Sequence, residues 1–244
     1  MIPDAGGART RLRHFASTTP VVRPAARALY HAWLAVRRPW DRWHENRAFT
    51  VPAVTRRNSR RAYETLYGSA ELLSEYLEPS RLRFYAEVAA VCAERPFRSI
   101  LDAGSGSGHL LEAVAARVDA GVDLAGFDYA RTGIEHARRL LPRARWAVGD
   151  IYDPPFDGPF DAVVCAEVLE HLRDPMRALT ALHRCCGSRG RLIITVPDGE
   201  RDDWEGHVNF WSADELMSLL DSFGTVEIRR IDEDRTLLAI VERL

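Results

Sequence analysis

The chain has 244 residues, a formal net charge of −2 and an apolar fraction of 46%. That length holds one α/β domain plus an extension, and the apolar content is ordinary for a globular protein. No stretch approaches ~20 consecutive apolar residues, so no membrane span is expected; the start does not read as a signal peptide, and the expected location is cytoplasmic. The charge is uneven. Residues 1–61 hold 13 arginines against Asp4, Asp41 and Glu45, and the chain contains no lysine. The four cysteines, Cys92, Cys165, Cys185 and Cys186, form no CxxC and read as reduced, structural thiols.

Residues 1–24 lack periodicity and read as a loose segment. Pro24 can open a helix, and residues 25–36 carry Leu29, Trp33 and Val36 near one face before Pro39 stops the run. With Trp40 and Trp43 following, residues 25–43 admit peripheral contact with an anionic membrane surface; packing on the catalytic domain or on a partner chain is the plainer alternative. Residues 1–58 form a basic, arginine-rich extension. Residues 59–96 read as a helical lid of two helices, one from Ser59 to Gly68 and a second capped by Ser69, which Pro79 interrupts and which resumes over residues 82–92. Tyr63 and Tyr67 are candidates to reach a ligand or to pack.

From Phe97 strands and helices alternate. Strands are predicted at 98–102, 122–127, 144–148, 160–165 and 192–196. Helices are predicted at 109–118, 133–141 and 175–186, the last closed by Gly187. Ser212 and Glu215 form a capping box for a helix over 212–223. Strands 226–231 and 236–241 close the chain as an antiparallel hairpin. The fold class is therefore α/β, a doubly wound, seven-stranded, mostly parallel sheet over residues 97–244, with an N-terminal helical extension.

In such sheets ligands lie beyond the carboxyl ends of the strands. Residues 100–108, Ile-Leu-Asp-Ala-Gly-Ser-Gly-Ser-Gly, run from a strand through a glycine loop into a helix. The loop lacks the Gly-Lys-Ser/Thr ending of a P-loop, and G-x-G-x-G is an imperfect dinucleotide fingerprint. Asp102 suits a cation where a dinucleotide site would meet pyrophosphate. Asp128 ends the second strand at a spacing that suits an adenosine ribose. Asp150 ends the third, beside Ile151; an acid can accept from an adenine amine while an apolar side chain covers the ring. The fourth ends at Cys165-Ala166-Glu167.

Together with Gly126-Phe-Asp128, Gly149-Asp150 and the run from Phe160 to His171, the loop resembles the class I S-adenosylmethionine-dependent methyltransferases over roughly residues 97–244. The resemblance implies S-adenosyl-L-methionine as cofactor. Its site would comprise Asp102, Gly104, Ser105, Gly106 and Gly108, then Asp128 with Tyr129, Asp150 with Ile151, and Ala166. Tyr129 departs from the small residue the family often has there.

Glu167-Val-Leu-Glu170-His171 carries the remaining chemistry. On a helical turn, positions i, i+3 and i+4 share a face, which would converge Glu167, Glu170 and His171 beside the methyl. His207 follows the fifth strand at the same end of the sheet. Three readings stay open. The acids and histidine only fix the helix start; His171 or His207 acts as a metal-free general base, with Glu167 beside it; or Glu167, Glu170, His171 and His207 bind a divalent metal, magnesium or manganese. The last set is similar to that of the small-RNA 3′-terminal 2′-O-methyltransferases, and the helix sequence to the ubiquinone-pathway O-methyltransferases. The second loop is shorter than in the RNA enzymes, and basic, aromatic-rich RNA-binding additions are not evident. Arg201-Asp202-Asp203 reads as a solvated loop. The expected activity is O-methylation of a small-molecule acceptor, with a small-RNA methyltransferase and a non-catalytic cofactor-binding subunit as alternatives.

Overall fold

The computed structural model describes residues 58–244, apart from Asp203, Glu205 and Leu244. The expected helix at 25–36, the membrane contact through 25–43 and the remainder of the basic extension lie outside the described residues.

Seven strands form one sheet among the described residues. They are β1 (Ser99–Ala103), β2 (Asp123–Asp128), β3 (Arg145–Val148), β4 (Phe160–Ala166), β5 (Cys186–Pro197), β6 (Thr225–Ile231) and β7 (Thr236–Glu242). Their order is β3-β2-β1-β4-β5-β7-β6. β7 runs antiparallel to β5 and β6, and the other pairs are parallel. The doubly wound sheet with its C-terminal hairpin is thus present as the alternation implies.

Side chains alternate between the faces of a strand, and helices cover both faces. Ile100, Val164 and Ile193 point to one side. They pack with Phe84 and Val88 of α3 (Pro79–Cys92), Leu111 of α4 (His109–Ala115) and Ile134 of α5 (Arg131–Leu140). Leu101, Val163 and Ile194 point to the other side. There they meet Leu179 and Leu182 of α6 (Pro175–Cys185) and Leu216 and Leu220 of α7 (Ala213–Leu220). A fully buried leucine of this kind contributes about 2–5 kcal/mol against alanine. All four cysteines are free and buried within these layers.

One boundary differs from expectation. β5 begins at Cys186, and Gly187, expected to close α6, lies within the strand. Cys186 pairs with Phe160, and the register then shifts before Ala162 meets Arg191. This irregular pairing admits the residues between Cys186 and Arg191, so the strand starts without a glycine cap.

Two shorter helices precede α3. α1 (Arg60–Gly68) is capped by the Ser59 side chain, which accepts from the Ala62 N–H. α2 (Ala70–Ser74) is capped by Ser69 in the same way. α1 docks through an ion-dipole contact. The N-cap residue of α5 is Ala130, which has no side chain to cap with. Glu64 of α1 takes that role, accepting from the Arg131 N–H at 2.8 Å, the Thr132 N–H at 2.9 Å and the Thr132 hydroxyl at 2.7 Å. A carboxylate at a helix N-terminus satisfies orphan donors and opposes the helix dipole.

Burial pushes the Glu64 carboxyl up, but the Thr132 and Arg131 donors outweigh it and hold it at about 2, below its ordinary 4.5. Its contribution is therefore fully present above about pH 4.5 and fades as the pH falls toward 2. Glu64→Ala is expected to lower stability by about 1 kcal/mol at neutral pH. Denaturant titrations of both proteins should show the gap narrowing below about pH 4.5; a pH-independent gap would contradict the assignment.

Candidate functional site

β1 and β4 are neighbours, while the chain goes on from β1 to β2 on one side and from β4 to β5 on the other. The crevice at this switch point is where an open α/β sheet takes a ligand. Its floor is the loop after β1. Gly104, Gly106 and Gly108 have φ of 79°, 52° and 90°, the left-handed region that glycine enters without a Cβ penalty. The loop folds against β2: the Gly104 and Ser105 N–H groups both donate to the Phe127 carbonyl at 2.9 Å. Asp128 completes the tie. Its carboxylate accepts from the Gly106 N–H at 3.0 Å and the Ala130 N–H at 2.8 Å.

Two buried polar atoms in this crevice have no partner, Asp102 Oδ2 and Ser105 Oγ. Burial first, and then the charge of Asp128, pushes the Asp102 carboxyl up to about 7. Burial pushes Asp128 up to about 6 against the pull of the Ala130 and Gly106 N–H groups. An unsatisfied buried carboxyl of this kind is what the ammonium group of an amino-acid ligand would satisfy. The residues present fit S-adenosylmethionine: donors and acceptors at Asp102 and Ser105, a backbone open to close approach, and a carboxylate at the end of β2.

Other expected cofactor residues lie along the same edge. Tyr129 follows Asp128, and its hydroxyl donates to the Asn58 carbonyl at 3.3 Å. Asp150 is exposed just beyond β3 and accepts from the Tyr152 N–H at 2.9 Å, with half-buried Ile151 between them. Ala166 ends β4. α1 lies over the loop. Tyr67 is buried, and a Cβ on Gly106 would fall 2.6 Å from its hydroxyl oxygen. The Tyr63 ring lies 5.7 Å from Tyr129 and 6.3 Å from His171.

The acids and histidines after β4 are arranged differently from a single helical face. Glu167 has a left-handed φ of 55°, and the short 3-10 turn begins only at Leu169 (Leu169–His171). The i, i+3, i+4 argument therefore fails at its first position. Glu167 turns toward β5, where the Thr195 hydroxyl bonds its carboxylate and its N–H, both at 3.2 Å. The three remaining residues do come together. Glu170, His171 and His207 each offer one ligand atom, all within 4.8 Å of one another. Of the four expected metal ligands, Glu167 stands outside this group.

Glu170 is 1% exposed, and neither of its carboxyl oxygens has a hydrogen-bond partner. His171 Nε2 lies 3.6 Å and His207 Nε2 4.0 Å from Glu170 Oε1. Burial, reinforced by Glu167, holds the Glu170 carboxyl well above the usual range. Burial, reinforced by His207, lowers His171 to about 4, so its imidazole is neutral at pH 7. The backbone is stitched around this cluster. The Val208 and Asn209 N–H groups donate to the Glu170 carbonyl at 2.8 and 3.1 Å. The Asn209 side chain donates to the carbonyls of Leu169 and Leu172 at 3.0 and 2.6 Å. The Trp204 ring closes one side, 4.7 Å from His207.

Sequence reasoning missed Asp202. It was read as part of a solvated loop, yet its Oδ2 lies 2.6 Å from His207 Nδ1. A carboxylate on Nδ1 fixes the tautomer that leaves Nε2 unprotonated and aimed at the cluster. An acid five positions before a candidate histidine was the available signal.

Comparisons with known proteins bear on the family and the fold. Residues 74–226 match a family described as "Methyltransferase domain". A ubiquinone biosynthesis O-methyltransferase of Pseudomonas aeruginosa is 29% identical over 126 residues, 49% of this chain and 51% of that protein. An uncharacterized 37.1 kDa protein of a Streptomyces fradiae transposon is 36% identical over 108 residues, 43% of this chain and 31% of that protein. The chain thus spans about half of the first relative's length and about a third of the second's. The N-methyltransferase NodS of Bradyrhizobium japonicum, solved with S-adenosyl-L-homocysteine, superposes with a TM-score of 0.64 at 19% identity, over 76% of this chain and 98% of that one. That likeness speaks for the fold. The chain belongs to the class I S-adenosylmethionine-dependent methyltransferases.

The raised carboxyls give this site a thermodynamic signature. Asp102, at about 7, is partly protonated in neutral solution. A cationic ligand beside it favours the ionised form. S-adenosylmethionine binding near pH 6.5 is therefore expected to release protons. Calorimetry in buffers of different ionisation enthalpy measures this directly, and Asp102→Asn should abolish most of it. Proton-neutral binding by the unaltered chain would contradict the assignment.

Proposed function

We propose that this protein transfers a methyl group to a hydroxyl of a small-molecule acceptor, with a divalent ion, magnesium or manganese, held by Glu170, His171 and His207. The observation that carries the reading is the Glu170 carboxyl: fully enclosed, without a partner on either oxygen, and faced by two imidazole nitrogens. Such a group is destabilising unless something positive completes it. Two imidazoles and one carboxylate form an ordinary donor set for a divalent ion with open positions. The O-methyltransferase relatives support oxygen as the acceptor atom.

When bound, S-adenosylmethionine supplies the methyl: its S–C bond breaks as the O–C bond forms, and the sulfur keeps the electron pair. A bound divalent ion would supply Lewis acidity that lowers the pKa of the acceptor hydroxyl. The chain's own residues do the rest. Asp102, Ser105 and the glycine loop orient the methionine end, and Asp128 faces the ribose. Tyr63 and Tyr67 of α1 narrow the crevice, as a helical lid of residues 59–96 would. Catalysis then consists largely of alignment in a dry site.

A second reading has its own support. His207 bonded to Asp202 is a histidine–carboxylate pair, and with a free Nε2 it would accept the hydroxyl proton without a metal. Chelation separates the two. The metal reading predicts stoichiometric Mn2+ binding by electron paramagnetic resonance, lost in Glu170→Gln and weakened about 10- to 100-fold in Asp202→Asn. It also predicts that EDTA abolishes methyl transfer to hydroxyl-bearing small-molecule acceptors and that Mg2+ or Mn2+ restores it. Full activity in EDTA would overturn it in favour of the base pair.

A further inference from the structure

Beside the metal-ligand cluster lies a half-open cleft of about 350 Å³, within the range of small-ligand pockets. Asp202 lines the cleft and bonds His207 of the cluster, so the two adjoin. The cleft is arginine-rich: Arg81 of α3, Arg201 of the loop after β5, and Arg235 of the β6–β7 turn. Its acids are already engaged. Asp202 holds His207, Asp232 pairs with Arg235 at 3.2 Å, and Glu167 is hydrogen-bonded to Thr195. Arg81 and Arg201 are exposed, and no side-chain partner is seen for either among the described residues.

Two further features shape this cleft. α3 reaches the cleft with Ser80 and Arg81 of its first turn, which contains no acidic residue, its one nearby acid being the N-cap residue Glu78. Its dipole therefore adds to the arginines. The turn bearing Arg235 is held in place. Asp232, Glu233 and Asp234 all have left-handed φ, of 50°, 56° and 63°, an arrangement that persists only when its surroundings fix it. α3 does so: Glu87 accepts from the Asp232 N–H at 2.8 Å, and Arg83 pairs with Glu233 at 3.0 Å.

We infer that Arg81 and Arg201, flanked by Arg235, form an oxyanion subsite, and that the methyl acceptor carries a carboxylate or phosphate group which this subsite grips. The inference rests on the proposed function for the identity of the adjoining reaction centre. Planar guanidinium groups bind either oxyanion bidentately. A group held there positions the remainder of a compact acceptor against the cluster.

The test uses the full chain saturated with S-adenosyl-L-homocysteine, with benzoate, phenyl phosphate and the neutral analogue benzamide as probes, read by calorimetry and saturation-transfer NMR. Benzoate or phenyl phosphate should bind at least about tenfold more tightly than benzamide, and Arg81→Gln with Arg201→Gln should remove that preference. The tighter of the two anions identifies the group, carboxylate or phosphate. Equal binding of benzamide, absence of binding by both anions, or undiminished anion binding by the double variant would overturn the subsite. Affinity for S-adenosyl-L-homocysteine shows that the variant is folded. Mn2+ binding in the same samples keeps the two proposals apart: its loss with anion preference intact counts against the metal centre alone, and the reverse against the subsite alone.

Discussion

The site depends on the reversal of strand order between β1 and β4. These strands are hydrogen-bonded neighbours, yet their successors add to opposite edges of the sheet. The loops leaving them must part, and the space that opens between them is overlain by α1. Everything with chemical character gathers along that line. The glycine loop leaves β1, the Glu170 turn leaves β4, and the segment bearing Asp202 and His207 leaves β5. A mostly parallel sheet cannot avoid this opening, because its helical crossovers all begin at the same end.

The opening is lined by carboxyls that burial disfavours. Asp102, Asp128, Glu167 and Glu170 all sit above their ordinary pKa, each chiefly because water is excluded. Asp128 recovers much of the loss through two backbone N–H donors. Glu167 recovers some through Thr195. Asp102 Oδ2 and both oxygens of Glu170 recover nothing within the chain. The ligand-free protein is therefore least satisfied at two points a few residues from β1 and β4. Cofactor at one and a divalent ion at the other would each relieve a distinct deficit. The tension between folding and function is local, and the surrounding layers of buried aliphatic side chains tolerate it.

Much of this was legible before any coordinates. Strand-helix alternation, the glycine loop and acids at successive strand ends specified the sheet and the cofactor crevice, because each rests on short-range pattern. The capping box at Ser212 and Glu215 is present for the same reason. Failures arose where backbone conformation or distant packing decides. Glu167 was placed with Glu170 and His171 by helical spacing, but a non-glycine residue in the left-handed region breaks that spacing and leaves no trace in composition. Asp202 was passed over because its role exists only once the loop after β5 folds back onto the Glu170 turn. Gly187 looked like a helix terminator, and a register shift against β4 made it part of a strand instead. Arg81 and Arg201 lie 120 residues apart in sequence, and only the fold brings them to one cleft.

In the proposed mechanism the enclosed carboxyl of Glu170 and the two imidazoles beside it form a divalent-cation centre next to the cofactor crevice. Crystals grown with S-adenosyl-L-homocysteine and Mn2+, measured at the manganese absorption edge, test it most directly. A single anomalous peak bonded to Glu170, His171 and His207 is the predicted result. Well-ordered side chains at all three positions with no anomalous peak between them, at saturating Mn2+, would contradict it.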